Sequence, residues 1–531
     1  MPVFLLPGQT IHFAIMATED GADRHVPPRG TGARLSGVRT LGRTAARQRV
    51  SVPDYPNSPW VVDATGIRDD ETPEDPDSPG ERIRLQRMDV YLEAAKSDDH
   101  ARRLAGLRCI RFLFTASGRV PIWLIIESDL HSSLISHIQP GADEPLLFET
   151  VWIAAQLTKT RSRANLQALL SNDIIGELAR VLDLFVSPRV TEQSLRCLSR
   201  LARVNLEIRD EILANETVIP VLQRISVSAG PPSMFGSLAS AICSLLQGSP
   251  APNVDAVIEP LMPVVATLFK SEDVHAINSL LFALAYLAES NPRSLEPMKE
   301  LALTSQITAA LDGSLAERLL QSEFSSGEYS PSERAETEML LLVPALRTVV
   351  GMASAGEDFI QELIDANAIL PLRDLIDHDR RDVRVLATRA LANLAQGTQD
   401  HIQALLDADF ADLTRSRLER EGHTTVKKNI AIFYARICCE GTPEQISTIV
   451  SRGGLRSMWH VAGLVGIEAT TDIVVTATEA ALMTLEGALA RQALIDIQET
   501  DVFEILDRQG ISDRYFERIT EAMFFCESRA A

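Results

Sequence analysis

One pattern recurs along this chain at an almost constant interval, and that interval limits the folds the chain can adopt. Each copy pairs an apolar stretch rich in Ala and Leu with a break at a small residue, as in "RALANLAQGT" from Arg389. Counted from one anchor residue to the next, the copies lie 44, 44, 42, 65, 42 and 43 residues apart. Such a period is typical of arrays of helical repeats. The anchors are Trp152, Arg196, Ser240, Phe282, Arg347, Arg389 and Ile432.

The repeats also predict the fold class. Units of two or three helices cannot bury their apolar faces alone, so neighbouring units stack and share one continuous core. Hydrophobic residues make up 45% of the chain but aromatic residues only 5%, which favours helices packed on helices over sheets. Five of the six intervals match armadillo and HEAT repeats, whose period is roughly 40–47 residues. We therefore predict an all-α solenoid of armadillo or HEAT type over residues 86–531.

The longest interval between anchors marks an insertion. It exceeds the shortest interval by 23 residues, and the excess lies within residues 312–336. This stretch is polar and rich in turn-forming residues, which predicts an inserted loop outside the repeat core. We expect such a loop to be mobile, cleaved readily by proteases and removable at little cost in stability.

Residues 1–85 lack the helical periodicity of the repeats and are rich in Gly, Pro, Arg and Asp, which predicts a disordered arm. A basic part is followed by residues 63–79, where seven acids stand against Arg68. A basic arm followed by an acidic linker predicts an interaction tail, although a solvated tail without a partner has the same composition. The arginines of the basic part, set against the single acid Asp23, are Arg24, Arg29, Arg34, Arg39, Arg43, Arg47 and Arg49.

Composition and motifs exclude several function classes. A net charge of −21 disfavours direct binding to nucleic acid or to an anionic membrane. We find no phosphate-binding glycine loop, hydrolase elbow, calcium loop or zinc-ligand spacing, and we predict no metal, no cofactor and no enzymatic activity. Cys438 and Cys439 lie in an apolar stretch, where core thiols are expected. An active site assembled from several distant repeats stays the least supported alternative.

Five segments in order between Met88 and Glu527 resemble the importin-α family, armadillo adaptors that carry nuclear-localisation signals. The resemblance implies a cargo peptide or protein as ligand, an importin-β-like receptor as partner of the basic arm, and an export factor at the C-terminal repeats. It also implies that the all-α solenoid is a right-handed superhelix of about ten armadillo repeats, and that the protein belongs to the cytoplasm and nucleus. The segments are "FETVWIAAQL" at Phe148, "PNVDAVIEPLMPVVATLFKSEDVHAINSLLFALAYLAES" at Pro252, "VPALRTVVGMASAGED" at Val343, "TPEQISTIVSRGGLRSM" at Thr442 and "VFEILDRQGISDRYFERITEAMFF" at Val502.

In that family each repeat presents a Trp and, four residues later, an Asn on one face of a helix. The Trp rings hold the stems of basic side chains, and the Asn amides clamp the peptide backbone. Most of the corresponding pairs, called rungs below, depart from that pattern here. The resemblance implies a groove with the rungs Trp152–Gln156, Arg196–Arg200, Ser240–Ser244, Phe282–Tyr286, Arg347–Gly351, Arg389–Asn393 and Ile432–Arg436, with Glu357 or Asp358 as an acid, and with the uncharged Val204 and Asn429 at two acid positions.

The eroded rungs lead to two expectations about function. The first is an importin-α-like adaptor with altered or weakened cargo specificity, in which the second site, near Tyr286 and Glu357, is better kept than the first. The alternative is an armadillo scaffold without a role in import that binds an acidic or extended peptide. Because Arg196 and Arg200 share one helix face, we expect their guanidinium groups to converge on one anion, such as an acidic segment.

Overall fold

The computed structural model describes residues 88–116, 122–138, 142–159, 163–171, 173–323, 329–465, 468–509 and 513–530. These residues all belong to one compact unit, Trp60–Ala531. The predicted arm, residues 1–85, lies outside the described residues. Across the described ranges the secondary structure is helical and contains no strand, which confirms the predicted all-α class.

The helices follow one another with short connections. In chain order they are α1 (Met88–Ala95), α2 (His100–Ala116), α3 (Ile122–Glu127), α4 (Leu130–Ser136), α5 (Glu144–Leu157), α6 (Arg163–Leu170), α7 (Ile174–Leu184), α8 (Pro188–Ala202), α9 (Leu206–Ala214), α10 (Val218–Ser226), α11 (Pro232–Leu246), a π-helical turn (Val254–Ile258), α12 (Glu259–Leu268), α13 (Val274–Ser290), a 3-10 turn (Pro292–Leu295), α14 (Glu296–Glu300), α15 (Thr304–Leu311), α16 (Ser314–Glu323), α17 (Pro331–Ala355), α18 (Glu357–Asp365), α19 (Ile369–Leu375), α20 (Arg381–Leu394), α21 (Gln399–Asp407), α22 (Phe410–Arg420), α23 (Thr424–Glu440), α24 (Pro443–Ser451), α25 (Gly454–Val465), α26 (Glu468–Thr484), α27 (Gly487–Glu499), α28 (Val502–Arg508) and α29 (Asp513–Arg529).

One helix of each repeat stacks directly on its counterpart in the next repeat. Within the described ranges this layer contains ten helices, each packed against its neighbours in the layer. The two shorter helices of each repeat cover the other side of the layer and share its apolar core. Most of these ten helices follow two shorter helices, so we call them the third helices, and we call their exposed face the groove. They are α2, α5, α8, α11, α13, α17, α20, α23, α26 and α29.

The repeat that contains the first pattern shows how sequence produces this geometry. Thr398 caps α21 by accepting a hydrogen bond from the backbone N–H of His401, and the His401 ring accepts one from the Thr398 N–H. Gly397 precedes this cap because an added Cβ would collide with the His401 ring. His401 also contacts the Gln361 side-chain oxygen of the preceding repeat at 2.9 Å. The break in the pattern is therefore a helix cap that also joins two repeats.

A left-handed residue marks the turn between the two shorter helices in many repeats. Asp409, at φ 60°, precedes α22, and Gly453, at φ 76°, occupies the same place 44 residues later. Asp and Asn tolerate this conformation better than other side chains, whereas Ala does not. Ala302 nevertheless adopts it, at φ 52°. Further non-glycine residues with this conformation in such turns are Asp129, Asp173, Asn367 and Asp501.

The prediction of an inserted loop over residues 312–336 is wrong, because most of the described residues in this stretch are helical. Residues 314–323 form α16, and residues 331–336 are the first turns of α17, capped by Ser330 and Glu333. The stretch carries apolar residues at helical spacing, which the surrounding turn residues obscured in the sequence. Its apolar residues pack into the core, where Leu315, Ala316, Leu319 and Leu320 are buried.

The α17 helix is long and apolar enough to span a membrane, by length and composition alone. In this fold 61% of its apolar window is buried. Helices α13 and α20 pack against it on either side in the third-helix layer. Its apolar composition therefore matches its place in the core of the array.

A buried ion cluster ties α22 to the preceding third helix, α20. The Glu421 carboxylate, 2% exposed, accepts hydrogen bonds from Arg384 of α20 at 2.9 Å and from Arg417 of α22 at 3.0 Å. Burial alone would raise the pKa of Glu421. Hydrogen bonds from Arg384, the backbone N–H of His423 and Arg417 outweigh burial and lower that pKa to about 2.

Candidate peptide-binding groove

The predicted rungs all lie on third helices. From Trp152 on α5 to Ile432 on α23, each anchor residue is followed four residues later by its partner on the same helix face. The anchors are half-buried or exposed except Ile432, which is buried. Most partners are more buried than the anchors that precede them. Among the partners, Gln156, Ser244, Gly351, Asn393 and Arg436 are buried.

Three rung partners donate hydrogen bonds to backbone carbonyls of the preceding third helix. Arg200 donates to the Ala155 carbonyl, and Arg436 donates to the Ala392 carbonyl. Asn393 donates to the Val350 carbonyl at 3.1 Å and to the Ser354 hydroxyl at 2.8 Å. In each case the accepting carbonyl belongs to the residue directly before the partner of the preceding rung. The accepting residues are Ala155, Val350 and Ala392.

These bonds give the substituted rungs a structural role. Ala155 and Ala392 lie in the last turns of α5 and α20, where helix carbonyls lack an intrahelical backbone donor. The Thr158 hydroxyl also donates to the Ala155 carbonyl, at 2.9 Å. A guanidinium donates to such a carbonyl and also interacts favourably with the negative end of the helix dipole. Arg200 and Arg436 therefore join successive repeats, and the amide of Asn393 is occupied in the same way.

The expected convergence of Arg196 and Arg200 on one anion is wrong. Arg196 forms an ion pair with Glu192 of its own helix at 2.5 Å and donates to Ser237 of α11 at 3.2 Å. Arg200 instead reaches back to α5. Burial, and more weakly the charge of Arg196, lower the pKa of Arg200. Sequence spacing placed both residues on one face, but it could not show that the preceding repeat offers a carbonyl to one of them.

Arg436 is the most deeply placed of the rung arginines, with 7% of its surface exposed. Besides the Ala392 carbonyl, it contacts the Asn393 side-chain oxygen at 3.3 Å. Burial lowers the pKa of Arg436 to about 10, and the charge of Glu440 opposes that shift. Arg436 is therefore not a groove-surface cation.

The missing Asn of the sixth-repeat rung has a steric explanation. A Cβ added to Gly351 would lie 2.5 Å from the Ala288 Cβ and 2.6 Å from the Ala288 carbonyl oxygen. Helices α13 and α17 approach closely at this point, and the backbone of α13 cannot move aside as a flexible side chain could. Only glycine fits this position without a shift of one helix.

An aromatic and charged cluster occupies the middle of the groove. The ring centroids of Phe282 and Tyr286 lie 6.3 Å apart on α13. The Arg347 guanidinium of α17 lies 5.6 Å from the first centroid and 5.3 Å from the second. It also binds the Glu289 carboxylate with two hydrogen bonds of 2.8 and 2.7 Å. The hydrogen bond to Glu289 raises the pKa of Arg347, and burial opposes it more weakly.

The chain's own Arg347 therefore acts as the cation that lies against the aromatic pair. A guanidinium over two aromatic faces and clamped by a carboxylate has the contacts that a peptide arginine or lysine would otherwise make. The sequence pointed to Phe282, Tyr286 and Arg347 but missed Glu289. The spacing of Glu289, three residues after Tyr286, could have placed it near the same helix face.

The first rung keeps its aromatic residue in a partly accessible position. Trp152 is half-buried and meets Phe114 of α2 edge-on, with ring centroids 6.1 Å apart. Next to it on α5, the Glu149 carboxylate is buried and accepts from Arg111 at 2.5 Å. Burial raises the pKa of Glu149, and Arg111 opposes that shift. The Glu149 carboxylate beside this rung is thus already paired with Arg111 of α2.

The remaining predicted residues differ in exposure. Glu357 and Asp358 are exposed in the first turn of α18, and Arg389 is exposed on α20. Val204 is 41% exposed and leaves an uncharged surface where the family has an acid. Asn429 is buried and donates to the Val385 carbonyl and the Thr388 hydroxyl, both at 3.1 Å, so it joins α23 to α20.

Comparison with known proteins agrees with this architecture. A model of the "Armadillo/beta-catenin-like repeat" matches residues 356–396. Importin subunit alpha-1a of Oryza sativa subsp. japonica is 22% identical over 326 residues, covering 61% of this chain and 57% of that protein. Importin subunit alpha-3 of Arabidopsis thaliana is 23% identical over 283 residues, covering 53% and 48%. The chain thus matches only about half the length of these relatives.

Among solved structures, an engineered protein determined by crystallography superimposes with a TM-score of 0.66 at 18% identity. The superposition covers 82% of this chain and 98% of that one. At such identity the likeness concerns the fold alone. Together with the repeat match and the sequence relatives, it establishes an all-α armadillo solenoid with importin-α-like similarity, a scaffold of repeat-based binding proteins.

Proposed function

We propose that this chain is an importin-α-like adaptor whose groove binds an extended segment of a cargo protein. The observation that carries the proposal is the register of the rungs, which repeat at one place on successive third helices. A row of side chains at constant spacing suits an extended peptide, because successive peptide residues also advance at constant spacing. The similarity to importin-α supports the import role.

The groove chemistry favours altered cargo over an ordinary lysine-rich signal. The aromatic pair of Phe282 and Tyr286 already holds the guanidinium of Arg347. The amide of Asn393 is engaged by the array itself. A lysine-rich peptide therefore loses both the stacking and the clamping contacts that the family ladder provides, each on the order of 1 kcal/mol.

A binding experiment with the full chain tests the proposal. Labelled peptides of equal length, one lysine-rich, one neutral and one acidic, are titrated while fluorescence anisotropy is recorded. We expect at least one peptide to bind and its affinity to change in Arg389→Glu, because Arg389 is exposed in the groove. The matched control is Arg415→Glu, since Arg415 is exposed on α22 outside the third-helix layer. Binding that neither variant alters would place the peptide elsewhere.

The import role is tested separately through the basic arm. Full chain is incubated with an importin-β-like receptor, alongside a variant with the seven arm arginines, Arg24 to Arg49, replaced by serine. Retention of the receptor by the natural chain and its loss in the variant supports import. If peptides bind the groove but the receptor is never retained, the alternative applies, an armadillo scaffold without an import role. The exposed Arg389 in a groove expected to hold basic cargo favours that alternative.

A further inference from the structure

A second row of side chains accompanies the rungs, seven residues after each anchor. Its first two members are cations, Lys159 and Arg203, and its third is the neutral Gln247. Lys159 directly follows α5 and its cap Thr158, and Arg203 caps the C-terminus of α8, so the two cations hold equivalent places on successive repeats. Both are exposed, and neither forms an ion pair within the described ranges.

Further arginines add positive charge to the same part of the groove. Burial and, more weakly, the charge of Arg200 lower the pKa of Lys159, so these two cations lie near each other. On α11, burial raises the pKa of the Cys243 thiol to about 11, and the charges of Arg203 and Arg347 oppose that rise. The positive charge of Arg203 therefore reaches α11, a helix that contains no charged residue.

The acids of α5 and α8 do not balance this charge. Glu192 forms an ion pair with Arg196 at 2.5 Å. Glu149 is buried and accepts a hydrogen bond from Arg111 at 2.5 Å. Glu144 begins α5, about 20 Å along the helix from its other end. In a chain of net charge −21, neighbouring cations without an ion pair among the described residues of this layer favour an acidic ligand.

The spacing of the two cations matches that of an extended peptide. Stacked helices lie roughly 10 Å apart, and an extended chain advances about 3.3 Å per residue, so three peptide residues cover one repeat. Acidic side chains at every third position of a peptide therefore meet Lys159 and Arg203 in turn. Val204, directly after Arg203, is 41% exposed and uncharged, so it leaves the second position free of a repelling carboxylate. Ammonium and guanidinium groups both form charge-assisted hydrogen bonds to carboxylate or phosphate oxygens.

We propose that Lys159 and Arg203 form a site for an acidic segment of a partner protein, with carboxylate or phosphate groups at every third residue. The proposal rests on the groove being the peptide-binding surface, as argued for the function above, and it names the cargo class for the half of the groove between α5 and α11. The charge preference of this half is opposite to that of the resembled family, which has an acid at the position of Val204.

Peptide titrations with the full chain test the ligand class. Three labelled peptides of equal length carry Glu, phosphoserine or Gln at every third position and Ser elsewhere, and fluorescence anisotropy is recorded. We expect the Glu and phosphoserine peptides to bind about tenfold or more tightly than the Gln peptide. Their binding should weaken about threefold or more when salt is raised from about 0.05 M to about 0.3 M, because exposed charges are screened. The tighter of the two identifies the preferred anion, carboxylate or phosphate.

Charge-reversing variants locate the binding. Lys159→Glu and Arg203→Glu should each weaken binding of the Glu peptide about tenfold or more, whereas Arg491→Glu should leave it unchanged. Arg491 is a matched control, because it is exposed on α27 outside the third-helix layer and forms no ion pair within the described part of the chain. All three residues are exposed, so the variants should keep the urea midpoint of the natural chain.

Zero-length carbodiimide cross-linking locates the peptide independently. Lys159 is the only lysine between Lys96 and Lys270, so an amide between its Nζ and a carboxylate of the Glu peptide is diagnostic in peptide mass spectra. We expect this cross-link in the natural chain. It should fall about threefold or more in Arg203→Glu and stay unchanged in Arg491→Glu.

The outcomes separate this site from the proposed function. If the acidic peptides bind but Lys159→Glu and Arg203→Glu change nothing, or the cross-links form only at other lysines, the site is refuted. If only a neutral or lysine-rich peptide binds, and its affinity changes in Arg389→Glu, the acidic ligand is refuted while the proposed function stands. If no peptide binds, or only an oligonucleotide does, both fail.

Discussion

The guanidinium of Arg436 on α23 donates a hydrogen bond to the carbonyl of Ala392, two residues before the end of α20. Arg200 and Ala155 form the same contact between α8 and α5. Two arginines that a family comparison assigns to ligand binding thus hold the repeats together. Some of the predicted rung side chains therefore bond to the neighbouring repeat, and the surface that remains available to a ligand differs from the predicted ladder.

Replacing Arg436 should measure this contact. We expect Arg436→Ala to destabilise the array by about 2–3 kcal/mol, because it removes buried packing and leaves the Ala392 carbonyl without a donor. Arg389→Ala is the matched control, since Arg389 is an exposed rung arginine on the neighbouring helix and its loss should cost less than about 0.5 kcal/mol. Urea unfolding followed by circular dichroism gives both values. Equal effects of the two substitutions would contradict the structural role of Arg436.

Much of this fold follows from the sequence because its signal is periodic. The intervals of 42–44 residues identified the stacked third helices and put each rung on its helix. The bonding partners could not be predicted, because they lie on the neighbouring repeat. Asn393 appeared to be a retained peptide clamp, yet its amide binds Val350 and Ser354. The α16 helix was missed because turn residues flank its buried apolar face.

Restoring the family residue at the sixth-repeat rung should lower the free energy of unfolding. Gly351→Asn places a side chain against the backbone of Ala288, and such overpacking costs about 2–3 kcal/mol. We expect Ala288→Gly to recover only part of that loss, because the Ala288 carbonyl also lies 2.6 Å from the added Cβ. A double-mutant cycle in urea measures the coupling. Strictly additive effects would show that the two positions do not meet.

The left-handed Ala302 offers a stabilising change. Ala302→Gly should raise stability by about 0.5–1 kcal/mol, since glycine adopts the observed φ of 52° without the Cβ conflict. The reverse test is Gly453→Ala, at φ 76°, where an added Cβ meets nothing within 4 Å and only the backbone conformation is strained. That substitution should destabilise by about 1 kcal/mol. Thermal unfolding of both variants checks the pair, and a loss of stability in Ala302→Gly would refute the strain.

The ion cluster around Glu421 should make stability depend on pH. The pKa of Glu421 is lowered to about 2 in the folded chain, against about 4.3 when unfolded. Its contribution is therefore complete above the unfolded value and is lost as the pH falls toward 2. We expect Glu421→Gln to cost about 2–3 kcal/mol at pH 7 and about half of that at pH 3. Glu419→Gln, in an exposed pair with Arg415, is the control. A cost independent of pH would contradict this account.

Titration of a lysine-rich localisation-type peptide into the full chain by calorimetry tests the central claim, that the groove is a peptide site with an altered ladder. We predict binding about tenfold or more weaker than to an importin-α with an intact ladder. Glu357→Gln should reduce that binding more than Trp152→Ala does, because Glu357 is an exposed acid, whereas Trp152 is half-buried against Phe114 and the nearby Glu149 is already paired with Arg111. Nanomolar binding that Trp152→Ala abolishes would contradict the account.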